Sequence, residues 1–167
     1  SLECKYVDRT FVSTDDPEIA RIAQEYGAEV PFSRPKELSG DFANAEECLL
    51  HAVDWLAEHE DYHIDIVSYV QVTDIFKKKY MLESCIVALL NDPKVESAFV
   101  AYREHKNYWK KTVNGFVRLT NAGNTARQIK EHIFREDTGL GCATRVSVLR
   151  SGKRLGDNVV IIPNDDV

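Results

Sequence analysis

Phe11-Val-Ser-Thr-Asp-Asp-Pro-Glu-Ile-Ala is the stretch from which the rest of the chain can be read. Its β-formers suit a short strand over residues 9–14, and Asp16 followed by Pro17 supplies a helix cap and a first-turn proline. Ile19, Ile22, Ala23 and Tyr26 then recur at the helical period, and Gly27 offers the left-handed residue that ends such a helix. A second short strand is expected over residues 28–32.

The same alternation continues downstream. Asn44, with Glu47 three residues on, imitates a capping box, and Leu49, Leu50, Val53 and Leu56 make the apolar stripe of the helix that follows. Residues 64–71 are nearly continuous in β-formers, which predicts a strand covered on both faces. A helix over 81–90 and a strand over 95–102 complete the rhythm. Short connections between strands and helices predict an α/β fold: a mostly parallel, Rossmann-like sheet with helices on both faces. Residues 1–167 read as a single domain. Ligands in such sheets bind beyond the carboxyl ends of the strands.

From about residue 104 the pattern changes. Residues 108–119 predict a hairpin across Asn114-Gly115, and a polar stretch without a period runs over 120–137. Residues 104–140 are therefore expected to form an inserted arm. Further strands are expected over 144–149 and 158–162, the second rejoining the main sheet.

Composition removes several function classes. A net charge of −6, with Lys and Arg scattered along the chain, argues against a nucleic-acid backbone as partner. No apolar run approaches the roughly 20 residues of a membrane span, and Ser1-Leu-Glu-Cys-Lys has no leader character, so a cytoplasmic protein is expected. Cys4, Cys48, Cys85 and Cys142 lie far apart without metal-ligand spacing, which suits reduced structural thiols.

Four loops at expected strand ends hold the residues able to carry chemistry. Asp16 suits capping, while Asp15 stays open. Arg34, fixed between Pro31 and Pro35, can present a guanidinium fork to a phosphate, or make a surface ion pair. Gln71 and Thr73 end the central strand, where an amide can read a pyrimidine edge or a sugar hydroxyl. His105, Trp109, Arg127 and Gln128 give the arm groups suited to a carboxylate-bearing substrate, or a solvated polar face.

In order and spacing these loops resemble those of the acylneuraminate cytidylyltransferases, the CMP-sialic acid synthetases and their relatives. The strongest run is Phe11-Val-Ser-Thr-Asp-Asp-Pro, Tyr26-Gly-Ala-Glu-Val-Pro-Phe, and Arg34-Pro-Lys-Glu-Leu with Asp41 beyond it. Tyr69-Val-Gln-Val-Thr, the pair His105 and Trp109, and Ala126-Arg127-Gln128 follow in the family's order. The resemblance implies a nucleotide-diphospho-sugar transferase fold and an enzyme that joins CTP to N-acetylneuraminate or a related nonulosonic acid with Mg²⁺.

It also implies that Arg34, Gln71 and Thr73 surround nucleotide and sugar, with Asp41 and Asn44 in the nucleotide-side loop. Arg127 and Gln128 would lie on an arm that reaches into a partner's site, making a homodimer. Asp74-Ile75-Phe76 stands where the family has Ser-Pro, placing a carboxylate near the sugar pocket. Ala45 replaces a small hydroxyl residue.

The family's Arg-x-x-Ser-Lys phosphate loop and its Ile-Asp-Ile-Asp metal segment have no counterpart here, and the magnesium ligands are expected beyond Val167. These 167 residues alone are therefore expected to be inactive. Two alternatives stand beside this reading. One is a non-catalytic sugar-binding or dimerising module. The other is a cytidylyltransferase for 3-deoxy-manno-octulosonate, pseudaminate or legionaminate.

Overall fold

The computed structural model describes residues 1–40, 42–120 and 132–164. Helix α1 (Pro17–Glu25) begins as its residues dictate: the Asp16 carboxylate accepts from the amides of Glu18 and Ile19 at 2.7 and 3.1 Å, and Gly27 follows the last turn at φ +89°. Helix α2 (Ala45–Glu60) is capped by Asn44, whose Oδ1 accepts from the Glu47 amide at 2.8 Å. The two short strands expected around α1 reduce to a parallel ribbon with one bridge, Phe11 to Glu29, extended by a 2.9 Å bond from the Arg34 amide to the Thr14 carbonyl.

The main sheet contains β1 (Ile66–Tyr69), β2 (Ser97–Glu104), β5 (Ile133–Glu136), β6 (Cys142–Arg145) and β7 (Val159–Asn164). Strands β3 (Trp109–Thr112) and β4 (Gly115–Arg118) form a separate hairpin, turning at Asn114-Gly115 as the sequence predicts. Helix α3 (Lys79–Asn91) connects β1 to β2, and α4 (Val146–Arg150) follows β6.

The sheet is mixed, which corrects the expectation of a mostly parallel one. Strand β7 runs parallel to β2, but β5 and β6 both run antiparallel to it, and β6 is antiparallel to β1. The reason is topological: after the hairpin the chain returns along β2 without a crossover helix, and only the passage through α4 restores the parallel direction. Strands β1, β2 and β7 consequently share one direction and one carboxyl end.

Residues 144–149 do not form one strand. The chain leaves β6 at Arg145 and turns into α4, burying Val148 and Leu149, so packing overrides the β-propensity of the valines. Ile133–Glu136, inside the stretch expected to be an arm, pairs with β2 in the main sheet. Strand β1 is half-buried, not covered throughout, because its pairing among the described residues is with β6 alone.

Alternation along β2 divides the core. Met81, Leu82, Cys85, Ile86 and Leu89 of α3 pack on Ala98, Val100 and Ala143, while Phe99, Ala101 and Cys142 face the other side with Tyr69, Leu155 and Ile161. Each large buried side chain contributes about 1.5–3 kcal/mol. Burial pushes the thiols of Cys85 and Cys142 up to about 12, and all four cysteines are free, in keeping with structural thiols.

Candidate active site

Among the described candidates, Gln71, Thr73, Asp74 and His105 lie where β1 and β2 end, and Arg34 lies where the parallel ribbon ends. In the ribbon, Arg34 points its Nη2 at Asp15 Oδ1, 3.3 Å away, and its Nε donates to Ser39 Oγ at 3.2 Å. Asp15, left open by the sequence, thus becomes the partner of Arg34. Its carboxyl is held below the usual range, first by its own backbone amide and then by the Arg34 guanidinium. Asp16 does what its position predicts and caps α1.

A second group lies past β1. The Gln71 amide bonds to the Gly139 carbonyl at 2.9 Å, and the side chains of Gln71 and Asp74 both lean over Gly139. A Cβ at Gly139 would stand 2.6 Å from Gln71 Oε1 and would meet Asp74 Oδ2, so a larger residue there would require the ends of these two flexible side chains to swing aside. Lys77 clasps this loop from below, its Nζ donating to the carbonyls of Gln71 and Asp74. Gln71 and Thr73 are exposed and Asp74 is half-buried, which leaves an amide, a hydroxyl and a carboxylate presented at the carboxyl end of the sheet.

The remaining candidates distribute differently. Asn44 is occupied as the cap of α2. His105 follows β2 at the same end of the sheet, and Trp109 opens the hairpin with the Arg118 guanidinium 5.3 Å over its ring. Asp41, Arg127 and Gln128 lie outside the described residues. No hydrogen bond or ion pair among the described residues joins the Arg34 group to the Gln71 group. A groove of about 600 Å³, lined by Ile64, Asp65, Leu89, Pro93, Arg145 and Arg150, contains none of the candidates and lies at the opposite end of β1.

Several groups escaped the sequence reading. Lys77 and Gly139 carry local signals that could have found them, a lysine just past the Gln71 loop and a glycine between Thr138 and Leu140. Arg154 has none, because its partners are remote in the chain. Among the described residues no cluster of three His, Cys, Asp or Glu is placed to hold a metal ion. Two buried acceptors without partners, Glu104 Oε2 and Asn164 Oδ1, do sit on one sheet face at the ends of β2 and β7, since Asn164 is in register with Tyr102. Two acceptors fall short of a magnesium shell.

Comparison with known proteins narrows the class. Over 79 residues the chain is 34% identical to a pseudaminic acid cytidylyltransferase of Campylobacter jejuni subsp. jejuni serotype O:2, covering 44% of this chain and 34% of that protein. A pseudaminic acid cytidylyltransferase of serotype O:23/36 is 27% identical over 77 residues, covering 46% of this chain and 33% of that protein. The chain thus matches about a third of the length of these relatives. A CMP:2-keto-3-deoxy-manno-octonic acid synthetase solved with CTP superposes with a TM-score of 0.67 at 14% identity, covering 98% of this chain and 75% of that one, which establishes the fold as α/β of the same type. The family model for cytidylyltransferases matches residues 1–141, and the chain belongs to the cytidylyltransferase family.

Proposed function

We propose that the whole protein activates an acidic sugar of the nonulosonate type with CTP, giving the CMP-sugar and pyrophosphate. The observation that carries this reading is the Gln71, Asp74 and Gly139 cluster at the carboxyl end of β1 in a chain of this family. In the reaction the sugar's anomeric oxygen bonds to the α-phosphorus of CTP, the bond from that phosphorus to the bridging oxygen breaks, and the hydroxyl proton is lost. Charge grows on phosphoryl oxygens, so positioned cations and donors do most of the work.

Arg34, held by Asp15 and Ser39, is suited to an anionic oxygen of the nucleotide. Gln71 and Thr73 are suited to sugar hydroxyls or a pyrimidine edge, and Asp74 reads a sugar amide or hydroxyl. The sequence resemblance favours N-acetylneuraminate, but the relatives named for pseudaminic acid make pseudaminate the acid to try first, with legionaminate and 3-deoxy-manno-octulosonate beside it. A divalent cation would neutralise the triphosphate through carboxylates other than the described ones.

Exposed Trp109 and Phe116 share one face of the hairpin and Val117 and Leu119 the other, and the Trp109 and Phe116 face is the apolar surface suited to a second copy, with Arg127 and Gln128 close by in sequence. No helix among the described residues is long and apolar enough to cross a membrane, and a cytoplasmic location follows from the need for CTP.

Pyrophosphate release from CTP, assayed with each acid in turn, tests the reading. Activity is expected with one or two acids, and Asp74→Ser is expected to change which acid is preferred without altering CTP affinity. Silence with every acid, in a protein that still forms dimers, would favour the dimerising module instead.

A further inference from the structure

Arg154 lies on the loop between α4 and β7, and its side chain is 18% exposed. Its guanidinium sits 5.3 Å over the Tyr69 ring, with Nη1 3.8 Å from Glu46 and Nη2 3.5 Å from Glu136. Its carbonyl accepts from Ser97 Oγ at 3.4 Å, which anchors the loop to the start of β2. One cation thus touches three elements that carry candidate residues. Glu46 lies in the first turn of α2, two residues after Asn44. Tyr69 lies two residues before Gln71. Glu136 ends β5, the strand that returns from the hairpin and leads to Gly139.

We infer that Arg154 is a positioning residue that fixes the nucleotide-side loop and the strand returning from the hairpin against the carboxyl end of β1. The geometry calls for arginine in particular. A flat ion can stack on Tyr69 while offering separate N–H edges to two acids, and a lysine ammonium cannot span both. Both ion pairs are longer than a close contact and the buried Nε has no partner, so the cation is divided between the acids instead of committed to one. Movement of either element is then felt by the other through the shared charge. Neither acid has a local sequence relation to Arg154, so the link exists only in the fold.

The inference rests on the proposed reaction for its kinetic test, and a second measurement is independent of it. In the whole protein, Arg154→Met is expected to raise the KM of CTP and of the acid sugar about five- to tenfold each, with kcat changed less than about twofold. Glu46→Gln is expected to affect mainly CTP and Glu136→Gln mainly the sugar, with the double variant less than additive, and Arg154→Lys to recover part of the loss. Amide hydrogen exchange in Arg154→Met should quicken over residues 43–47 and 133–136 together while α3 stays protected. A fall in Tm with both KM values unmoved would reduce Arg154 to a structural contact, and unchanged exchange in both segments would overturn the inference whether or not any acid is turned over. A wild-type protein inactive with every acid would count against the reaction, leaving exchange to decide on Arg154.

Discussion

The dipeptide Phe-Val occurs in two strands with opposite fates. In β2, Phe99 is 8% exposed and Val100 0%, while in β4 Phe116 is 69% exposed and Val117 53%. Phe99 and Val100 lie on the parallel ladder with β7, Phe99 also facing Cys142 on the antiparallel side, and Phe116 and Val117 lie on the antiparallel hairpin, all in β-permissive sequence. The difference is what lies across the faces: β2 has α3 on one side and Tyr69, Leu155 and Ile161 on the other, whereas the hairpin has no cover from the described chain. Strand propensity therefore marks both segments alike, and only the packing separates core from surface.

The sharpest way to break that contrast is a pair of alanine substitutions. Phe99→Ala should cost about 3–5 kcal/mol by chemical denaturation, from lost burial plus the cavity left between sheet and loop. Phe116→Ala should change the stability of the monomer by less than about 0.5 kcal/mol. Equal costs would show that the hairpin is packed in solution, and the contrast would collapse.

Cysteines sharpen it chemically. Cys142 stands in register with Phe99 and is fully buried, its thiol pushed up to about 12 by desolvation, while Cys48 is only half-buried. Thiol-labelling of the native protein should modify Cys48 at least about a hundredfold faster than Cys142 or Cys85, by accessibility and thiolate fraction together. Comparable rates would mean that the sheet opens readily. The sign at high pH follows: a raised thiol favours the neutral form in the fold, so stability is lost as pH rises from the ordinary thiol range through about 12.

If a second copy covers the hairpin, Phe116→Ala should weaken the dimer by about tenfold or more in sedimentation equilibrium while leaving the monomer folded. An unchanged dimer would assign the contact to some other surface.

How much of this was legible in the sequence depends on how local each feature is. The cap of α1 at Asp16, the cap of α2 at Asn44 and the turn at Asn114-Gly115 all come from residues within a few positions of one another, and all three appear in the structure; the last strand also rejoins the main sheet as expected, although its partner β2 is remote in sequence. Strand direction is not local. Helix-strand alternation up to residue 104 predicts crossovers, but nothing in residues 133–145 announces a return antiparallel to β2, because direction is set by the path of the chain between strands. The site shows the same division. Arg34 and Gln71 are visible as strand-end residues, Asp15 becomes a partner only when the ribbon closes, and Gly139 and Arg154 matter through side chains far away in the chain.

The smallest expected effect lies at the ribbon, where Arg34 and Asp15 meet in solvent and packing contributes little. Asp15 is held below the ordinary carboxylate range, so whatever the pair adds to stability is present above that range and lost as pH falls through the folded value. Asp15→Asn and wild type should then differ slightly in Tm near neutrality and converge on acidification from about pH 6 to about pH 2. The functional consequence points the other way. With Asp15 neutralised, Arg34 loses its competitor for a phosphate oxygen, so affinity for an anion should hold or rise if the carboxylate only occupies the guanidinium, and should fall if it orients it. Titrating CTP against both proteins at neutral pH separates the two: weaker binding by Asp15→Asn would make this exposed ion pair part of the site, despite its negligible share in stability.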